Sequence, residues 1–305
     1  MIPRIVEVAE SGRYILKQRG SLIIKDCTGP MGSVPLDDIG IMMISAYGAT
    51  ITKEALVSLA ERGAITVLCD KRSVPSAMVL PTVANYEMSL RVKSQITASL
   101  PLKKRLWQAI VRAKLVHQAR VLEAAGKQDV ATKLYQLSKT VESGDPHNRE
   151  AVGARFYWKN LFGEQFSRSK DGPWPNSALN YGYTILRSAT LRAIYGAGLL
   201  PFFSLHHDNS KNPFPLADDL MEPYRPMVDY LVYREVFPMG NELVPDLKRI
   251  ISQVLWVDLS LKEETTPLYQ ALEYFLYSLV QSFKSKKCCI EIPEFTVSHE
   301  NLKRL

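Results

Sequence analysis

Apolar residues in the first eighty positions come in short bursts. Ile5 to Val8, Tyr14 to Lys17, Ser21 to Lys25 and Ile39 to Ile44 are rich in Ile, Val and Tyr, and Ser11-Gly12, Gly20 and Gly29-Pro30 separate them. Such spacing predicts short β-strands joined by turns. Thr52 is placed to cap a helix over Lys53 to Arg62, because Leu56, Leu59 and Ala60 share one face, Glu54 lies in the first turn and Gly63 ends it. Ala64 to Cys69 predicts a buried strand, followed by a turn over Asp70 to Val74, the short run Met78 to Leu80, and a boundary near Pro81.

Beyond Pro81 the spacing becomes helical. Asp145-Pro146 predicts a helix start running to about Leu161 with Gly163 as its stop. From Asn176 or Ser177 to about Ala197, the residues Leu179, Leu186, Ala189, Ala193 and Ala197 line one side, and Gly198 and Pro201 close the segment. Thr266-Pro267 opens a third helix with Leu268, Leu272, Phe275, Leu279 and Phe283 pointing inward. The expected class is α+β: a small β-domain over residues 1–80, a linker over 81–90, and a larger, mostly helical domain over 91–305.

Composition agrees with this division. A chain of 305 residues predicts about two domains, and 46% hydrophobic against 23% charged residues excludes a disordered chain. The four cysteines form no CxxC spacing, so neither a disulfide framework nor a cysteine zinc site is expected. The amino terminus has no apolar signal region, and Ser45 and Gly48 interrupt the most apolar stretch, Ile39 to Ile51. A soluble, cytoplasmic protein is the expectation.

The net charge is +7, of which residues 1–80 hold only +1 from nine basic and eight acidic side chains. The basic excess therefore belongs to the second part. Arg91 to Arg120 contains Arg91, Lys93, Lys103, Lys104, Arg105, Arg112, Lys114 and Arg120 with no Asp or Glu. A one-sign surface of this kind suits phosphate contacts, since each neutralised phosphate releases a counterion; pairing with acids elsewhere in the fold is the alternative.

Two further features bear on chemistry. Glu150 heads an apolar stripe through Ala154, Tyr157 and Leu161, and a buried carboxylate needs a salt bridge, a helix N-terminus or a cation. In LHHDNSKNPFPLADDLMEPYRP, His206 and His207 precede an Asn- and Pro-rich loop. Asp218, Asp219 and Glu222 follow at helical spacing, and Pro223 and Pro226 kink or end that turn. Imidazole with carboxylates suits Mn²⁺ or, less ideally, Mg²⁺. Hydrogen-bonding histidines and an ordinary helix start remain the plain reading of the same residues.

HHDNSKNPFPLADDLMEPYRP, together with DPHNREAVGARFYW, ALNYGYTILRSATLRAIYGAGLLP and TITKEALVSLAERGAITVLCD, resembles the CRISPR adaptation integrases, the family named Cas one, in the form that accompanies type II systems. The resemblance covers nearly the whole chain. It implies a β-sandwich-like first domain that dimerises and a helical catalytic domain that holds one divalent metal. Carried over residue by residue, the ligands are Glu150, His207 and Glu222, which are also the catalytic residues. The register of fifteen residues between the ligand histidine and the acid selects His207. Asp219 and His206 stand behind the ligands.

The implied activity is metal-dependent strand transfer, a DNA 3′-hydroxyl attacking a phosphodiester of the CRISPR repeat, with Mg²⁺ or Mn²⁺ as cofactor. Arg155, Arg187, Arg192 and Arg225 join the basic tract as candidate phosphate contacts, each with a structural salt bridge as its alternative. The implied partners are double-stranded DNA with single-stranded or branched ends, the CRISPR repeat, a second copy of the chain and the small adaptation protein Cas two. In the tail, Lys284, Lys286 and Lys287 precede a strand-like Cys288 to Ile292 that could recruit a partner strand. A metal-dependent nuclease using water, or a non-catalytic DNA-binding scaffold, are the rival classes.

Overall fold

The computed structural model describes residues 4–71, 75–81, 87–169, 171–207, 211–261 and 264–295. It divides into two compact units, Met1–Met88 and Ser89–Leu305. Residues 82–86 of the expected linker lie outside the described residues. The first helix of the second region already begins at Met88.

The first unit holds two four-stranded sheets, matching the expected sandwich-like domain. Its strands are β1 (Arg4–Val8), β2 (Tyr14–Gln18), β3 (Ser21–Lys25), β4 (Pro30–Pro35), β5 (Ile39–Ile44), β6 (Thr50–Ile51), β7 (Ile65–Cys69) and β8 (Pro75–Val79), with helix α1 (Lys53–Glu61) between β6 and β7. One sheet runs β1-β5-β7-β8 and the other β4-β3-β2-β6. β5 is parallel to both β1 and β7 and is buried at every position, which accounts for its unbroken apolar run. Val8, Ile15, Leu22, Leu36, Met42, Ile44 and Leu59 form the core, drawn from both sheets and α1. Arg19 and Gly20 both have positive φ, the geometry of a two-residue hairpin loop joining β2 to β3. As expected, the Thr52 side chain caps α1 by accepting from the Ala55 N–H, and Gly63 follows the helix at φ 74°. β4 and β6 have no counterpart in the pattern reading, because β4 is flanked by Pro30 and Pro35, contains Gly32 and is mostly exposed.

The second unit is helical. α2 (Met88–Ile96), α3 (Leu100–Ala124), α4 (Gln128–Lys139), α5 (Arg149–Phe162) and α6 (Asn176–Gly196) are followed by α7 (Pro215–Met221), α8 (Arg225–Leu231), α9 (Pro245–Ser252), the hairpin β9 (Asp258–Leu261) and β10 (Glu264–Pro267), and α10 (Leu268–Ser285). Leu106, Ile110, Leu115, Leu122, Leu186, Leu220, Leu272 and Phe275 are fully buried, at about 1.5–3 kcal/mol each relative to exposure. Gly153 of α5 lies against Leu115 of α3, and an added Cβ there would meet Leu115 Cδ2 at 2.2 Å, so this glycine permits the close approach of α3 and α5. Among the described residues no helix is long and apolar enough to cross a membrane.

Two expectations are corrected here, and one open alternative, whether the prolines kink or end the turn, is decided. The helix expected from Asp145 starts at Arg149, because Asn148 at φ 48° turns the chain and accepts from the Ala151 N–H. Pro223 does not end the helical path: a 3₁₀ turn over Glu222–Tyr224 links α7 to α8, with each proline in a first-turn position that needs no N–H. Cys288 to Ile292 form no strand; beyond α10 the only regular pairing among the described residues is the bridge from Glu294 to Ser260, and Phe295 is buried.

Candidate active site

Glu150 is the second residue of α5, and its placement begins with Asp145. The Asp145 carboxylate accepts from the backbone N–H groups of Arg149 (2.8 Å) and Glu150 (3.0 Å), satisfying donors that every helix start leaves open. The Glu150 side chain then meets Lys114 of α3, whose Nζ lies 2.6 Å from Glu150 Oε1. The same ammonium stands 2.5 Å from Oε2 of Glu222, the residue that opens the 3₁₀ turn between α7 and α8. Two carboxylates from separate elements thus converge on one buried cation.

The Lys114–Glu222 contact is close but not aligned as a hydrogen bond, so Glu222 Oε2 is a buried oxygen without a hydrogen-bond donor. Glu222 Oε1 lies 3.2 Å from Arg225 Nε, and the Arg225 guanidinium stacks over the Tyr183 ring. Burial pushes the Glu222 carboxyl up, but Arg225 and Lys114 overcome it and hold the group below the usual carboxylate range. Burial likewise opposes charge on Lys114, and Glu222 and Glu150 outweigh it, so the ammonium sits above its ordinary value.

The histidine pair is organised by Asp219, which is 0% exposed. Its carboxylate accepts the backbone N–H groups of Leu205 (2.8 Å), His206 (2.9 Å) and His207 (3.3 Å). His207 Nδ1 lies 2.6 Å from Asp219 Oδ1. A carboxylate on Nδ1 fixes the ring and leaves Nε2 as its free nitrogen. The hydrogen bond to Asp219 raises the His207 imidazole above its ordinary value, against an opposing effect of burial. His206 goes the other way: burial lowers it, and the neighbouring His207 adds to the shift. Its ring stacks flat on the buried Trp107, with centroids 4.4 Å apart and planes within 2°, while His207 meets the same indole edge-on at 5.1 Å.

Asp218, expected to share a face with Asp219 and Glu222, turns away. Its carboxylate receives Arg187 Nε at 2.7 Å and a second contact from Arg187 Nη2, and it accepts from Asn212 at 2.6 Å. Arg192 pairs with Glu273 at 3.2 Å and stacks on Tyr269. Arg187, Arg192 and Arg225 therefore take the salt-bridge alternative. In the basic tract, Arg91 donates to the Ala197 carbonyl and Arg112 to the Val141 carbonyl, while Arg120 pairs with Glu294 at 2.6 Å. Lys93, Lys104, Arg105 and Arg155 are exposed and Lys103 is half-buried. Lys114 departs most from the surface reading.

Asp145, expected as the start signal of α5, braces that helix, while three contributors escaped the sequence reading: Lys114 as a partner of both glutamates, Trp107 beneath the histidines, and His117. Lys114 carried a usable signal, since Trp107, Ile110, Lys114, Gln118 and Val121 follow one another at helical spacing and are all buried. His117 donates Nδ1–H to the Pro223 carbonyl at 2.6 Å and accepts the Phe295 N–H on Nε2 at 3.1 Å. Burial lowers its imidazole to about 4.

Comparison with known proteins decides the family. The family described as CRISPR associated protein Cas1 matches residues 6–236. The chain belongs to the Cas1 family. It is 38% identical over 280 residues to the CRISPR-associated endonuclease Cas1 of Neisseria meningitidis serogroup C, with 90% of each chain covered. A Cas1 endonuclease of Pyrobaculum aerophilum is 30% identical over 247 residues, covering 75% of this chain and 81% of the relative. Among solved structures, a casposase bound to an integration product superposes with a TM-score of 0.80 at 21% identity, covering 100% of this chain and 98% of that one. A Cas1 protein of Thermotoga maritima gives a TM-score of 0.76 at 15% identity, covering 94% and 99%. These two likenesses establish that the Cas1-family fold is shared.

Proposed function

We propose that this Cas1-family chain is a cytoplasmic CRISPR adaptation integrase that joins captured DNA fragments to a repeat array with the help of Mg²⁺ or Mn²⁺. In the joining step a DNA 3′-hydroxyl attacks a repeat phosphodiester. A new P–O bond forms to the incoming strand, the P–O bond to the leaving strand breaks, and that strand departs with a free 3′-hydroxyl. The observation that carries the proposal is the convergence of Glu150 and Glu222 on a single cation position, with His207 held by Asp219.

The residues fit a divalent metal by their chemistry. Glu222 Oε2 is a buried oxygen with no hydrogen bond, Glu150 Oε1 shares its cation, and His207 keeps Nε2 free. Carboxylate oxygens with one imidazole and no thiolate suit Mg²⁺ or Mn²⁺. Among the described residues no three His, Cys, Asp or Glu side chains already stand in a ligating arrangement, so loading requires movement within the set. Glu150, His207 and Glu222 would hold the ion, which when bound makes the attacking oxygen more nucleophilic and neutralises charge on the phosphoryl oxygens.

The chain's own residues do the rest. Asp145 braces the start of α5 and with it Glu150, Asp219 orients His207, and Arg225 keeps Glu222 ionised. The exposed Lys93, Lys104, Arg105 and Arg155 bind backbone phosphates. DNA, a second copy of the chain and the small adaptation protein Cas two are the proposed partners; the Neisseria relative is itself named an endonuclease, and the casposase neighbour is bound to an integration product.

Strand transfer on a branched DNA substrate with Mn²⁺ tests the assignment. Joined product supports the integrase, only shortened product supports hydrolysis by the same residues, and neither leaves a binding scaffold. Glu150→Ala, His207→Ala and Glu222→Ala should each abolish joining while DNA affinity stays within about threefold, because they remove ligands and leave the basic tract. His206→Ala should be milder than His207→Ala. The opposite order would overturn the choice of histidine.

A further inference from the structure

Lys114 is an unusual neighbour for two metal-binding carboxylates. It lies on the inward face of α3 among Trp107, Ile110, Val111 and Gln118, where a lysine has no packing advantage. Its Nζ is 2.6 Å from Glu150 Oε1 and 2.5 Å from Glu222 Oε2, and its side chain is 10% exposed. A Mg²⁺ ion would draw carboxylate oxygens to roughly 2.1 Å. An ion held at that distance by these same two oxygens would lie no more than about 4.6 Å from the ammonium nitrogen. Like charges at that separation in a buried site repel strongly, so ammonium and divalent ion exclude one another.

We infer that Lys114 is a resident counter-cation that holds Glu150 and Glu222 together before loading, and that a divalent ion must displace it to bind. The inference rests on the proposed metal reading and deepens it. The lysine relieves the repulsion of the buried Glu222 and half-buried Glu150 carboxylates in the unloaded protein, which keeps the site folded without metal. It also sets a threshold for entry, because an ion must outcompete a covalently tethered cation. Both contacts are close, 2.6 Å to Glu150 Oε1 and 2.5 Å to Glu222 Oε2, so an entering ion must release the ammonium from both carboxylates.

Calorimetric titration of the full chain with Mn²⁺ tests the displacement. Lys114→Gln retains a hydrogen-bonding group for both carboxylates but deletes the charge. It should bind Mn²⁺ at least about tenfold more tightly than wild type, within the ordinary range of site–site couplings. In EDTA the variant should melt below wild type, and Mn²⁺ should raise its Tm by more. Lys114→Arg, which keeps the charge, should bind no more tightly than wild type. A second measurement needs no variant: reductive methylation of wild-type Lys114, read by mass spectrometry, should be slow in EDTA and fast in Mn²⁺.

Equal Mn²⁺ affinity of wild type and Lys114→Gln, or methylation unchanged by Mn²⁺ at saturating occupancy, would overturn the displacement and leave the metal site standing. Absence of Mn²⁺ binding to every form would overturn the metal site and the displacement together.

Discussion

Replacing Asp219 by Asn or Ala is the most informative test of how the histidine loop is held. Asp219 is 0% exposed and takes three backbone N–H groups and the His207 ring on one carboxylate. Leu205 is buried, so loss of its acceptor leaves a donor that water does not reach, whereas His206 and His207 are exposed and find water instead. A buried donor left unmade costs about 1–3 kcal/mol, and the weakened charged bonds to the two neighbours bring Asp219→Ala to about 2–4 kcal/mol of local stability. Asn keeps one acceptor oxygen and should lose roughly half of that.

Hydrogen exchange at the amides of 205–207 reads this directly: protection should fall by a factor of roughly 30 to 1,000 in Asp219→Ala. The ring reports independently. Its bond to Asp219 is the largest cause of the raised His207 value, so in Asp219→Asn its NMR titration should return toward about 6.5. A raised folded value gives stability that is fully present below the unfolded value and lost as pH rises through the folded one. The variant should lose that slope. Unchanged protection together with an unchanged His207 titration would refute the account of Asp219 as the organiser of the loop.

Two other predictions follow from charge. Reversing Lys103, Lys104 and Arg105 together should flatten the salt dependence of duplex binding by roughly two to three in log–log slope, from about 0.9 per phosphate; an unchanged slope would place the DNA surface elsewhere. Asp229 is buried, accepts from Tyr183 Oη at 2.5 Å, and is pushed up by burial to about 7. Because the folded state binds this proton more tightly, stability falls as pH rises from about 4 to about 7, by up to about 4 kcal/mol. Asp229→Asn should therefore gain Tm relative to wild type at pH 8 compared with pH 5, and an equal difference at both pH values would refute the assignment.

Much of the fold was legible because local pattern and tertiary environment agree. β5 reads as an unbroken apolar run and is buried throughout, and Thr52 and Gly63 bracket α1 by chemistry that acts over a few residues. β4 was not legible: its pairing with β3, and not its composition, makes it a strand. The start of α5 moved because Asn148 adopts a left-handed backbone, which composition does not announce. At the site, motif resemblance selected Glu150, His207 and Glu222, and the structure places Glu150 and Glu222 on one cation. The partners of the arginines were not legible, since Arg187 reaches Asp218 across 31 residues and Arg192 reaches Glu273 across 81. Lys114 was misplaced because the tract was scored by sign alone, when its helical register already put that lysine inside.

The parallel pairing of β1 with β5 has a consequence for how the chain is made. Residues 4–8 leave the ribosome well before their partner strand at 39–44 exists, and the whole β2-β3-β4 meander is synthesised in between. The β2-β3 hairpin closes over two residues and can form as it emerges, whereas β1 must wait unpaired while the chain passes through the other sheet and returns as β5. The nascent chain thus passes through a stage with β1 unpaired, and β7 completes the parallel core only after α1 has been made. Slow codons or a chaperone acting between β5 and β7 would change the yield of this unit without touching any residue of the active site.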